Sequence, residues 1–194
     1  MFIDFLPLML VNMAAGLFIL ACYGFSGQGR GNRAQWASAF MITGLIASIC
    51  GFYIIFKFPL PGPYNIAFGE MSVMLGLLFL GGAWSVSRGL SVAPLAIYSL
   101  FAGAAAILIG VGFIQMKLSQ TPVLAGVGFI LTGGAGVLLG PAIWVPILSW
   151  LRWIIGIGLI VASGIWTLIA GFGYWNHLMH FANWTPTVFQ NIPK

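Results

Sequence analysis

Six apolar runs, each about twenty residues or longer and separated only by short polar or proline-bearing connections, restrict this chain to folding in a bilayer. They cover roughly residues 3–25, 35–57, 67–87, 93–116, 122–145 and 149–175. About 20 helical residues at ~1.5 Å rise cross ~30 Å of hydrocarbon, so each run is one membrane span. The breaks are "SGQGRGNRAQ", "PLPGPYNIAFGE", "SRGLSVAP", "MKLSQTP" and "PAIWVPILS", where Gly, Pro and polar residues collect. Strands are excluded, because the runs lack two-residue alternation and are about twice the length of a barrel strand. The expected fold is all-α: a polytopic membrane protein, a single six-helix bundle, with residues 176–194 as a tail carrying interfacial aromatics. No internal repeat is evident.

With 61% hydrophobic and 5% charged residues, the chain has too little polar surface for a soluble fold. The net charge of +5 comes from seven basic residues scattered singly, which form no phosphate-binding stripe and exclude nucleic acid as a partner. Cys22 and Cys50 lie inside apolar runs and read as small hydrophobes. "ILAC" at 19–22 has no basic residue before it, so the first run reads as a retained span.

Arg30, Arg33, Arg88 and Arg152 fall at one set of helix ends, and Lys57, Lys117 and Lys194 at the other. This bias predicts that the Arg-bearing loops are cytoplasmic and that both termini lie outside, in the cell (plasma or inner) membrane. Asp4, Asn65, Glu70, His177 and His180 then share the outer face, a polar cluster holding every acid and every histidine in the chain. His177 and His180, spaced i and i+3, could bind a metal ion or haem with Glu70, or with Asp4, as a further ligand. Histidines at a membrane interface are more often simply solvated. Glu70 has its own simpler reading, a carboxylate in the first turn of the third helix favoured by the helix dipole.

No nucleophile with a base at useful spacing, no phosphate-binding loop and no CxxC pair appears, so the chain is not read as an enzyme. "GVGFILTGGAG", "AGAAAILIGVG" and "GIGLIVASG" lie within spans, where small residues let helices approach closely. Polar groups at membrane depth are uncharged: Asn12, Thr43, Ser48, Ser72, Ser85, Ser99, Thr132, Ser163 and Thr167. Such groups, with aromatic rings between them, could line a path for a neutral solute.

Three stretches carry a resemblance. "GLSVAPLAIYSLFAG" at 89–103, with Pro94 and Tyr98-Ser99-Leu100-Phe101, resembles the start of the fourth span of the bacterial acid-gated urea channels and amide transporters. "GLLF" at Gly76–Phe79 is similar to that family's third span, and "NMAAGL" at 12–17 to its first. The resemblance implies a six-helix protomer with its own narrow pore, a homo-oligomeric ring of six, and facilitated diffusion of small neutral amides. Phe79 would be a pore-facing aromatic and Asn12 a polar group on the first helix; Trp84, Tyr98 and Ser99 complete the solute-path candidates. The chain departs from that pattern in having no Trp in 122–143, no acid in "IVASGIW" and a short proline loop before the third span. As a whole it also resembles an uncharacterised family of small integral-membrane proteins of bacteria and archaea, with a "LPLMLVNMAAG"-like span and a "PLPG-YNIAFGE"-like loop.

Two expectations follow. One is a channel or facilitator for a small neutral, urea- or amide-like solute, with no cofactor. The other is a membrane subunit of a larger redox complex, holding haem or a metal ion through His177, His180 and Glu70. An accessory subunit packed on a partner by its Gly-rich faces is the plainest reading of the composition.

Overall fold

A computed structural model describes residues 5–26 and 34–182. It contains helices α1 (Leu6–Phe25), α2 (Ala37–Lys57), α3 (Met71–Ser87), α4 (Leu95–Gln115), α5 (Pro122–Trp144) and α6 (Leu151–Phe181). A 3-10 turn, Ala34–Trp36, leads into α2, and a π-helical turn, Asn65–Glu70, leads into α3. All six spans are long and apolar enough to cross a membrane, and the described residues include no strand. Each helix packs on its sequence neighbours and α6 returns to α1, so the helices close into a ring. Outward-facing Leu108, Phe101, Ile42 and Leu168 are largely exposed, as residues meant for lipid are.

Small residues bring the antiparallel pairs together. On α4, Gly103 and Gly110 stand seven residues apart, as do Gly126 and Gly133 on α5. A Cβ at Gly103 would lie 2.5 Å from the Gly133 carbonyl oxygen, and one at Gly110 2.6 Å from that of Gly126. The α2–α3 pair repeats the spacing: Gly44 meets Gly76 at 2.9 Å and Gly51 meets Gly69 at 2.9 Å. Between α1 and α6, the Ser163 hydroxyl donates to the Ala14 carbonyl at 2.8 Å and Gly173 lies against Pro7. The same seven-residue spacing of glycines thus recurs at the contact faces of both pairs. Without a hydrophobic drive between helices in lipid, this backbone proximity and its dispersion contacts hold the bundle together. Gly133→Ala is expected to destabilise the fold by roughly 1–3 kcal/mol through overpacking. Gly134→Ala, whose Cβ would meet no heavy atom within 4 Å, is its control. Thermal unfolding in detergent should show a lower midpoint for the first variant only.

The connections sort onto two faces. Pro7 beside Gly173 puts the start of α1 and the end of α6 together, on the side of the 58–64 loop and Lys117; this is the termini face. Arg88 and Arg152 mark the opposite, Arg face. At the termini face α2 ends with Phe58 in the left-handed region (φ 48°) and α4 with Lys117 in the same region (φ 51°). Gly62 has φ +53°, a conformation that suits glycine and turns the chain before Pro63. Asn65, almost fully buried, then locks the loop: its side-chain oxygen accepts the Leu60 N–H at 2.8 Å, and its amide donates to the carbonyls of Leu60 and, at 3.1 Å, Gly62.

Several boundaries shift from the sequence reading, and two of the shifts bear on the polar residues near the termini face. The third span begins at Asn65 rather than 67, because the π-helical turn adds helical backbone ahead of Met71. The sixth helix runs through 176–181 instead of giving way to a tail at 176, since no helix breaker intervenes before Pro186. At ~1.5 Å per residue this 31-residue helix is about 46 Å long, more than a ~30 Å hydrocarbon core requires, so one end projects beyond it.

Candidate functional site

The ring encloses a cavity of about 530 Å³ along its axis, lined by residues from all six helices. Along α3 the lining runs from Met71 through Met74, Leu78, Phe79 and Gly82 to Val86, a length of about 20 Å at ~1.5 Å per residue. Leu17 and Leu20 of α1, Phe40 of α2, Ser99 and Gly103 of α4, Thr132 and Gly136 of α5, and Leu159 of α6 complete the wall. The glycines that bring α4 and α5 together thus also remove side chains from the cavity.

At the Arg face the lining ends at Gly24, Pro146, Ser149 and Arg152, all exposed, so among the described residues nothing closes the cavity there. Arg152 is the only charged side chain in the lining among the described residues, and its guanidinium lies 5.7 Å from the Trp153 ring centroid. The wall is otherwise apolar with a few hydroxyls. Ser99 donates to the Ala96 carbonyl at 2.9 Å or across to that of Gly136 at 3.0 Å, and Thr132 donates to the Gly128 carbonyl at 2.8 Å. Their protons are engaged with backbone, which leaves oxygen lone pairs as the polar feature they present.

Toward the termini face the cavity stops at Met71 and Phe129, beneath a cluster of aromatic rings. Phe68 of the π-helical turn lies 5.9 Å from Phe113, 5.8 Å from Phe129 and 6.5 Å from Trp166, centroid to centroid. Phe129 also meets Phe113 at 5.2 Å and Trp166 at 5.0 Å, and Tyr64 covers Phe68 and Phe113 at 6.1 Å each. Trp166 is wholly buried and Phe113 and Phe129 nearly so. Edge-to-face and tilted pairs at these separations are favourable, so the rings form a well-packed plug. None of Tyr64, Phe68, Phe113, Phe129 and Trp166 was singled out from sequence. The feature that marks Phe68 is its place in the proline-rich "PLPGPYNIAFGE", whose turn is a π-helix, a geometry frequent at functional sites.

The sequence candidates divide. Phe79 and Ser99 line the cavity; Phe79 is buried with its ring 5.6 Å from Phe40. Asn12 faces α2 instead and donates to the Thr43 carbonyl at 2.9 Å, stitching two helices together. Trp84 (60% exposed) and Tyr98 (43%) stand on the outside of the ring and do not line the cavity. Arg88 sits 4.8 Å over the Trp84 ring, an interfacial cation–π pair.

Of the polar cluster expected at the outer face, Asp4 lies outside the described residues and Asn65 is spent on the loop. Glu70 is exposed and makes no cap; helical backbone begins before it, so it is not in the first turn of the third span. His177 is partly buried, and His180, exposed, has its Nδ1 2.8 Å from the Asn176 carbonyl of its own helix. Among the described residues no three His, Cys, Asp or Glu side chains come together to hold a metal, so His177, His180 and Glu70 are not gathered as a ligand set.

The fold and its axial cavity define a multi-pass helical membrane protein. Residues 1–180 match the model of a family described as proteins of unknown function (DUF981), and the chain belongs to that family. No curated protein matches the sequence. Among solved structures, the cryo-EM structure of the Helicobacter pylori urea channel in its closed state has a similar fold, with a TM-score of 0.69 at 16% identity, covering 89% of this chain and 98% of that one. Both resemblances read from the sequence point to these same two places.

Proposed function

We propose that the protein is a channel for a small neutral solute, urea- or amide-like in size, which travels along the axial cavity and is held back by the aromatic plug. The observation that carries this reading is the continuous cavity inside a single ring of helices, open among the described residues at the Arg face and stopped by rings at the other. Below the Arg152 rim, an apolar wall with a few hydroxyl and carbonyl oxygens gives a neutral amide hydrogen-bond acceptors without charges that would retain an ion. The fold shared with a urea channel solved in a closed state supports it, and a plugged cavity is what a closed conduit needs. The protomer holds the whole path; copies assemble as a homo-oligomeric ring, a hexamer on the sequence resemblance, through outward faces such as that of α4, where Phe101 and Leu108 are exposed.

Stopped-flow light scattering of proteoliposomes with urea, acetamide and larger polyols tests the reading. Faster equilibration than empty liposomes for the small amides, with no gain for the larger polyols, is expected. Rates equal to empty liposomes throughout, for both the native chain and a variant lacking the Phe68 ring, would contradict it.

A further inference from the structure

The mouth of the cavity is unbalanced in charge. Arg152 lines it and is exposed to the water that enters there. The sequence has only two acids, Asp4 and Glu70. Glu70 stands at the opposite end of α3, and Asp4 lies outside the described residues. No carboxylate is therefore described at this mouth to neutralise the guanidinium. Arginine does not deprotonate in proteins, so the charge persists at every working pH. Apolar walls below the rim keep the local dielectric low and focus the field of a charge placed there. The ring of Trp153, 5.7 Å from the guanidinium, holds the side chain at the rim without cancelling its charge.

We propose that Arg152 is the charge filter of the cavity: it admits neutral planar amides and rejects cations of the same shape. The inference rests on the conduit reading and adds the residue that decides charge. A fixed positive charge at the mouth repels cations by electrostatics rather than by size, so the discriminating probes are a pair matched in shape and different in charge. Acetamide and the acetamidinium ion are such a pair.

The experiment measures the flux of each into proteoliposomes carrying the full chain, with the Phe68→Ala background included so that the plug does not limit either probe. Acetamide is expected to enter and acetamidinium to remain at the empty-liposome rate. Arg152→Gln is expected to raise the acetamidinium-to-acetamide ratio roughly tenfold, the Coulomb effect of one unit charge several ångströms from a partly hydrated ion. Arg152→Lys should keep the rejection, and Arg88→Gln, a change on the same face but off the cavity, should leave both fluxes unchanged. Where Arg152→Gln does not reconstitute, Arg152→Glu gives the same readout with the opposite charge. Equal entry of the two probes in the native chain overturns the filter while leaving the conduit standing. So does a ratio unmoved by both Arg152→Gln and Arg152→Glu. Absence of acetamide flux from the native chain and Phe68→Ala alike overturns the conduit and the filter with it.

Discussion

Phe68→Ala is expected to raise acetamide permeability about tenfold or more over the native chain. The ring of Phe68 touches four others, Tyr64, Phe113, Phe129 and Trp166, at centroid separations of 5.8 to 6.5 Å. Aromatic pairs contribute ~0.5–1.5 kcal/mol each beyond simple burial, and ~1.4 kcal/mol is a tenfold change in an equilibrium, so losing all four shifts the plug decisively toward opening. The same truncation costs the fold: a buried Phe→Ala change removes ~3–5 kcal/mol. Phe68→Leu is therefore the companion variant, since it keeps apolar bulk and loses the ring pairs. A rise in permeability for both, in protein whose melting midpoint shows it folded, assigns the barrier to the rings. Unchanged permeability in folded Phe68→Leu and Phe68→Ala would remove Phe68 from the path.

Gly82→Trp is expected to do the reverse and bring flux down to that of empty liposomes. Gly82 lines the cavity on α3, and a Cβ built there meets no heavy atom within 4 Å, so an indole enters empty space rather than a neighbouring helix. The cavity has little wall relief to accommodate it, because Phe79, Leu78 and Val86 already occupy the same face of α3. Gly164 supplies the control. It too has open space at its Cβ, but it is exposed on α6 and does not line the cavity. Gly164→Trp should leave both folding and flux as they are. Loss of flux in both variants would point to a general effect of added bulk, and loss in neither would empty the cavity of its role.

The contrast between these glycines shows where the sequence was legible and where it was not. Span number and most boundaries follow from hydropathy and from prolines such as Pro61, Pro63 and Pro122, because the cost of polar backbone in lipid leaves the helix little alternative. Which way each helix faces does not follow. In a soluble helix the apolar stripe identifies the inside, but here lipid and cavity are both apolar, and the 3.6-residue signal in hydropathy disappears. The resemblance makes Trp84 and Tyr98 solute-path candidates, and helix rotation puts both on the outside. Phe79 lies on the inner side of the same helix as Trp84.

Residue size carried the orientation that hydropathy could not. The spacings Gly44–Gly51, Gly69–Gly76, Gly103–Gly110 and Gly126–Gly133 mark the faces where α2 meets α3 and α4 meets α5. Read as a seven-residue pattern of small residues, they would have fixed the rotation of four helices. The plug was beyond such reading, since Phe113, Phe129 and Trp166 come from three successive helices and Phe68 from the turn before α3, and the four rings meet only once the helices are packed side by side. "PLPGPYNIAFGE" was conspicuous for Glu70, yet its weight lies in Asn65, which holds the loop, and in Phe68, which the loop delivers to the axis.

A double variant tests most directly whether plug and cavity act in series on one path. Acetamide flux is compared in proteoliposomes of Phe68→Ala and Phe68→Ala/Gly82→Trp, with Phe68→Ala/Gly164→Trp as the control. If solute moves along the axis, adding the indole at Gly82 abolishes the flux that Phe68→Ala released, while the indole at Gly164 leaves it intact. Flux in the Gly82 double variant equal to that of Phe68→Ala alone would contradict an axial path through this cavity.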